Sequence, residues 1–305
     1  MNLGLITLTI LGLCLFEVVS SIDNAVVNAD VLKTMSPKGR KWFLVWGIFI
    51  GVFLVRGLLP FLIVWGANPS IGPIKAFLST FNSDPSVLHA IEQSAPTLLV
   101  GGGIFLIFLF LHWLFLEEKE YGLKVESFFA KQGIWFFAFV SIILSLVVWL
   151  SLKINPNMAF GATIGAAAFF ITDGFKEQAA KAEIALKGTK NNLSDLSKLI
   201  YLEILDATFS IDGVIGAFAF TFSVPLILIG NGLGALIIRQ LTIKGADKIE
   251  KYIFLKNGAM YSILFLGIIM LLDSFKVEIP TYVSPLVTFI VIGFFFLKSK
   301  KQIQN

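Results

Sequence analysis

Five carboxylates sit inside apolar stretches of this chain: Glu17 and Asp23 near the N-terminus, then Glu203, Asp206 and Asp212 in the second half. The first group reads Glu17-Val18-Val19-Ser20-Ser21-Ile22-Asp23-Asn24, and the second contains Glu203, Asp206, Ser210, Ile211 and Asp212. A carboxylate buried in hydrocarbon costs several kcal/mol unless something compensates it. Two such groups in one apolar chain therefore point to an ion site. The donors are all oxygen: the five carboxylates, the Asn24 amide, and the Ser21 and Ser210 hydroxyls as auxiliary ligands. That set suits hard divalent cations such as Mn²⁺, Mg²⁺ or Ca²⁺. A monovalent cation or protons would also fit. Zinc and copper would normally recruit His or Cys, and the only histidines, His89 and His112, lie outside both motifs. The single cysteine, Cys14, excludes an intrachain disulfide and a Cys-based zinc site.

Each residue also has a plainer reading. One intramembrane acid can be an interhelical hydrogen-bonding group, although five against Arg56 make that a poor account of the set. Asn24 serves nearly as well as interhelical glue. Ser21 and Ser210 can satisfy their own helix backbones.

The elements that must position these residues are membrane helices. Of 305 residues, 56% are hydrophobic and 14% charged, against about 25% charged in an ordinary soluble domain. Apolar runs of about 20 residues recur along the chain, the length of a spanning helix. They are continuous, unlike the short alternating segments of a membrane barrel. The N-terminus lacks the basic region of a cleavable signal peptide. The expected fold is an all-α polytopic membrane protein with about nine transmembrane helices, near 4–32, 42–66, 86–116, 133–151, 157–173, 196–222, 224–243, 253–273 and 281–298. We read it as one membrane domain, 1–305, with halves 1–173 and 196–298 joined by a partly helical cytoplasmic loop, 174–195. The segment 67–85, rich in Pro and Gly, reads as a loop outside the membrane.

Basic residues concentrate in alternate connections. The first holds Lys33, Lys38, Arg40 and Lys41; the third Lys119, Lys124 and Lys131; the fifth Lys176, Lys181, Lys187, Lys190 and Lys198. The seventh holds Arg239, Lys244, Lys248, Lys251 and Lys256, and the tail Lys298, Lys300 and Lys301. The remaining connections hold only Lys75, Lys153 and Lys276. The positive-inside rule then sets the N-terminus outside and the C-terminus in the cytoplasm, in a cell (plasma or inner) membrane. A net charge of +4 spread over loops is no nucleic-acid footprint.

In that topology spans one and six cross in opposite senses, as in an inverted-topology repeat with its site at the repeat interface. At about 1.5 Å rise per residue, Glu17 comes level with Asp212, and Asp23 with Asp206. Glu17 and Asp23 are about 240° apart on an unbroken helix. Glu17, Ser20 or Ser21, Asn24 and Asn28 share one stripe. Either span one breaks near Ser20–Ser21, or Asp23 faces another helix. On span six, Glu203, Asp206 and Ser210 share a face; Asp212 does not, unless Gly213 and Gly216 permit a break. Arg56, within span two, is the expected counter-charge for a motif carboxylate. Gly161-x3-Gly165 should let the short fifth span pack closely at the centre of the bundle.

At these residues the chain resembles the TerC/Alx family of integral membrane proteins. Glu17, Asp23 and Asn24, with Pro37 following, are similar to that family's first motif; Glu203, Asp206, Phe209 and Asp212 are similar to its second. Arg56 after Gly47 resembles its span-two arginine, and Gly102, Gly103, Phe105 and Leu106 its Gly-Gly-x-Phe-Leu stretch. Gly213 and Ile215 stand where the family has serine and proline, which marks a divergent branch. The resemblance implies a scaffold akin to the lysine-exporter superfamily and a role in manganese export or related metal homeostasis.

The leading expectation is thus a transporter that exports a divalent cation, Mn²⁺ first, by alternating access, with possible proton coupling. Its partners are the lipid bilayer and the cation; no protein partner is legible. The alternatives are an exporter of amino acids or other organic cations, and a non-transporting partner in metal loading of secreted enzymes. No protease, metallohydrolase or Ser/His signature supports an enzyme.

Overall fold

A computed structural model describes residues 2–47, 49–50, 56–67, 72–73, 85–188, 194–249 and 251–304. Some side chains within those ranges, including Asp23, Arg56 and Phe209, lie outside the description. Every regular element among the described residues is helical. In chain order they are α1 (Leu3–Ser20), α2 (Ile22–Lys33), α3 (Pro37–Trp42), a π-helical turn (Phe43–Gly47) and α4 (Arg56–Ala67). Then come α5 (Pro85–Phe115), α6 (Lys124–Ala130), α7 (Phe136–Leu152) and α8 (Pro156–Gly188). The chain ends with α9 (Asp195–Ala217), α10 (Val224–Ile249), α11 (Leu255–Ser274) and α12 (Val283–Gln304).

The helix ends follow local chemistry. Asn2 caps α1 by accepting from the Leu5 N–H at 2.8 Å. Ser36 caps α3 ahead of Pro37, and Ser194 caps α9. Lys119 closes α5 by donating to the carbonyls of Trp113 and Leu114.

Seven of these helices are long and apolar enough to cross a membrane: α1, the Ser94–Phe115 part of α5, α7 with its preceding turn, Pro156–Gln178 of α8, Val224–Thr242 of α10, α11 and α12. They coincide with seven of the expected spans. Expected span six is present as α9, but Asp195, Lys198, Glu203, Asp206 and Asp212 make it too charged to pass as an ordinary apolar span. Expected span two is described in two pieces, the π-helical turn with residues 49–50 and α4 (Arg56–Ala67), with 48 and 51–55 outside the described residues, so neither piece alone is long enough to cross a membrane; most of the 67–85 segment also lies outside them. One boundary needs correction. The helix of the fifth span does not stop at 173; α8 continues unbroken to Gly188, so the segment 174–195, expected to be partly helical, is helical over 174–188. No Gly or Pro breaker after Asp173 is strong enough to end it; Gly174 alone is tolerated in a helix.

Helix α5 is the axis of the bundle. Val100, Ile104, Leu106, Phe108 and Trp113 are fully buried. It packs in parallel against α8, with Thr97 against Gly161 and Gly101 against Gly165, so that a Cβ on Gly165 would run into the Gly101 carbonyl. It packs antiparallel to α11, where a Cβ on Gly103 would lie 2.9 Å from the Gly267 carbonyl. The expected close approach of the Gly161-x3-Gly165 helix is therefore seen, and α5 is its partner. Helix α7 is peripheral: Ile142, Leu146 and Trp149 are exposed, as side chains facing lipid would be.

Around the acidic motifs, contacts set helix directions. Gly12 meets Phe220, Phe16 meets Gly216, Glu17 meets Gly213 and Asn24 meets Asp206, so α1–α2 runs antiparallel to α9. Leu13 meets Gly230 and Glu17 meets Gly234, so α1 runs parallel to α10.

Candidate functional site

The first acidic motif is bent where its own serines sit. Ser21 (φ −96°, ψ 8°) separates α1 from α2. Hydrogen bonds continue across it: the Ser21 N–H donates to the Glu17 carbonyl at 3.2 Å, and the Ala25 N–H to the Ser21 carbonyl at 3.0 Å. The result is a bend rather than an unwound stretch. The Ser21 hydroxyl turns back and donates to Glu17 Oε1 at 3.1 Å. Glu17 is buried between α9 and α10, where Gly213 and Gly234 make room for it. A Cβ on Gly213 would lie 2.7 Å from Glu17 Oε2. A serine there, as in the family the sequence resembles, would press on that carboxylate.

One turn beyond the bend, Asn24 Nδ2 donates to Asp206 Oδ1 at 2.7 Å, joining the two motifs. Arg239 of α10 completes the group. Its Nη2 donates to Asp206 Oδ2 at 3.3 Å and lies 3.7 Å from Glu203 Oε1, and its Nη1 donates to the Phe43 carbonyl at 2.8 Å. The guanidinium also lies over the Phe43 ring, 4.4 Å from its centre. Arg239 is only 6% exposed, so this charge is paired inside the protein. A small cleft, with a cavity volume of about 10 Å³ or room for about one water-sized ligand, is lined by Ser21, Asn24, Asn28, Asp206, Arg239 and Thr242 together with Ala25, Ala235 and Ile238. The side-chain oxygens of Asn24 and Asn28 receive no hydrogen bond among the described residues. Both amides are buried. They are therefore free acceptors at the wall of a cleft that holds one carboxylate, Asp206, and one cation, Arg239.

The structure thus joins Ser21 to Glu17 and Asn24 to Asp206, with Glu203 reaching the same arginine. Ser210 is buried on α9, and its hydroxyl has no partner among the described residues. Asp212 stands apart. It pairs with Lys176 of α8, away from the cleft. The reason is helical phase: Asp212 is about 240° around α9 from Asp206, and α9 runs unbroken to Ala217, so Gly213 and Gly216 supply no break. The expectation that Asp212 shares one cavity with Glu17 is corrected accordingly; they are level but point to different neighbours. The side chains of Asp23 and Arg56 lie outside the described residues. Among the described residues, no group of three or more His, Cys, Asp or Glu side chains is placed to hold a metal ion.

The observed counter-charge is Arg239, which the loop count had assigned to a connection. Its signal was present in the sequence: it lies inside the apolar run Val224–Thr242, where an unpaired cation would be costly. Asn28 was visible only as a member of the Glu17–Asn24 stripe.

Two curated relatives are similar to part of this chain. An uncharacterized membrane protein of Rickettsia prowazekii (strain Madrid E) is 30% identical over 90 residues, 30% of each chain. An uncharacterized membrane protein of Rickettsia felis is 29% identical over 101 residues, 33% of each chain. The chain thus aligns with about a third of the length of these relatives. They support a multi-pass membrane protein, in line with the seven apolar helices. No solved structure matches. Residues 22–305, from the bend after Ser21 through α12, match the family described as Protein of unknown function (DUF475), and the chain belongs to that family.

Proposed function

We propose that this protein exports a divalent metal cation, Mn²⁺ first among them, by alternating access, with the cleft between α2, α9 and α10 as its cargo site. The observation that carries the reading is the cleft itself. Two unused amide oxygens and a carboxylate line a polar space between helices that meet antiparallel. Arg239 neutralises Asp206 and Glu203. A divalent cation entering the cleft would take Asp206, Asn24 and Asn28 as oxygen ligands and release the guanidinium toward Phe43. In this reading expected spans two and six are membrane-crossing, giving nine spans in all, with an inverted repeat, the N-terminus outside and the scaffold akin to TerC/Alx. Proton coupling would use carboxylates that the departing cation leaves bare. The protein is then a carrier and not an enzyme.

The test is growth under Mn²⁺ challenge of cells that lack their own manganese exporter. The wild-type chain should restore resistance; Asp206→Asn and Asp23→Asn, at equal expression, should not. Full resistance in both variants would overturn the proposal.

One observation favours a second reading. A guanidinium held by two carboxylates, a backbone carbonyl and an aromatic face is also how a site would hold an organic cation. On that reading the cargo is an amino acid or another organic cation, and Arg239 occupies its place. Uptake into liposomes with lysine, arginine and Mn²⁺ as competitors separates the two.

A further inference from the structure

A second polar group lies outside the cleft, at the C-terminal end of α5. His112 sits with Nδ1 3.6 Å from Glu117 Oε1 and Nε2 3.4 Å from Asp173 Oδ1 of α8. We propose that His112 is a proton-binding site, and that the bound proton ties the C-terminal end of α5 to the middle of α8 at Asp173. The argument is donor arithmetic. A neutral imidazole has one N–H and one bare nitrogen, so one of its two carboxylates would face a lone pair. Only the imidazolium presents an N–H toward both carboxylates, at ion-pair distance. A proton taken from water onto the bare nitrogen turns that repulsion into attraction and makes both contacts ion pairs, and its release reverses this. No other species is consumed.

The surroundings fit. Two phenyl rings, Phe136 and Phe169, pack beside the imidazole at 5.7 and 6.0 Å between centres. The imidazole remains 22% exposed, which leaves a path for protons. Facing it are Glu117 just beyond α5 and Asp173 on α8; Lys256 of α11 bonds Glu117 Oε2 at 2.8 Å. Lys119 also lies in the field of Glu117, and the Lys176–Asp212 pair lies beyond Asp173 on α8 and α9. Burial works to raise Glu117, but His112 and Lys256 outweigh it and hold its carboxyl at about 2. Glu117 is thus an anion through the range where histidines ordinarily change charge. The group links α5, α8 and α11, so the proton would decide whether these helices are tied there.

The inference does not need the cation-transport reading, and its test involves no cargo. With only two histidines in the chain, imidazole ¹⁵N NMR of the full-length protein in nanodiscs can follow both, with His89→Gln to assign them. At pH 7 the doubly protonated fraction of His112 should fall severalfold in Asp173→Asn and in Glu117→Gln. Hydrogen exchange at the C-terminal end of α5 and in α8 around Asp173, corrected for intrinsic rate, should speed up between pH 6 and 8.5 in the wild type and lose that dependence in His112→Gln. Should one carboxylate variant fail to fold, the other carries the test. An unchanged protonated fraction in every folded carboxylate variant, or pH-independent exchange in the wild type, would overturn the proposal.

Discussion

Along α5, from Leu98 to Leu111, no residue is charged, and the helix meets α8 and α11 through glycines and carbonyls. Along α9, charge recurs at Glu203, Asp206 and Asp212, and each of these groups finds its cation on a different helix, Arg239 of α10 or Lys176 of α8. The first seam has one way to pack, because a carbonyl against a glycine leaves no alternative rotamer. The second is held by ion pairs whose partners can be exchanged without leaving a void. A rigid axis beside an exchangeable polar seam is the arrangement that lets one part of a bundle move against another.

The largest expected effect breaks the polar side of this comparison. Arg239→Met takes the shared cation from buried Asp206 and half-buried Glu203, and should cost about 3–5 kcal/mol in thermal unfolding. Asp206→Asn in the same chain should recover a sizeable part of that loss, a coupling that a double-mutant cycle reads directly. If the two substitutions simply add, the pairing is not what holds the cleft.

Next comes the rigid side. Gly165→Ala places a methyl against the Gly101 carbonyl, a contact with no flexible end to give way. It should cost about 1–3 kcal/mol. Gly293→Ala on α12, where nothing lies within 4 Å, should be close to neutral and serves as the control.

A smaller effect is pH-dependent. Glu117 in the folded protein has its carboxyl at about 2, below its ordinary value of 4.5. Its contribution to stability is therefore fully present above about pH 4.5. It is lost as pH falls toward about 2. Thermal stability of the wild type should drop more between pH 5 and 3 than that of Glu117→Gln. Equal slopes would show that the ties to His112 and Lys256 are weak.

The smallest effect lies at the exposed start of α9. Asp195 accepts from the Ser36 hydroxyl and from the Ser36 N–H at 3.3 Å, and these bonds lower its carboxyl below the usual range. The contact is present at neutral pH and goes as pH falls through that lowered value. Asp195→Asn should speed exchange of the Gly39 N–H, which donates to Ser36 Oγ at 3.2 Å, with little change in overall stability.

What the sequence made legible was set by periodicity and by cost. Long apolar runs revealed seven helices because lipid leaves few alternatives. Carboxylates in those runs revealed α1 and α9, because burying them unpaired is expensive. The phase mismatch between Glu17 and Asp23 drew attention to Ser20–Ser21, where the helix bends without unwinding. Partner identity was harder to read. Arg239 was counted with a loop although it lies within an apolar run, and Asp212 was kept with the motif although helix phase set it apart from Glu203, Asp206 and Ser210. Helix length was also obscured: α8 runs on to Gly188 through Lys- and Glu-bearing turns that resemble a loop in composition while keeping helical propensity. Which helix faces which depends on three-dimensional packing, and no local pattern in α9 or α10 encodes it.

The central claim is that Asp206 and its neighbours take up a cation that crosses the membrane. It is tested most directly by Mn²⁺ flux through purified protein in liposomes, comparing the wild type with Asp206→Asn at equal incorporation. The account predicts saturable Mn²⁺ movement in the wild type and near-background movement in the variant. Equal flux through both, or wild-type flux no faster than protein-free vesicles, would contradict it.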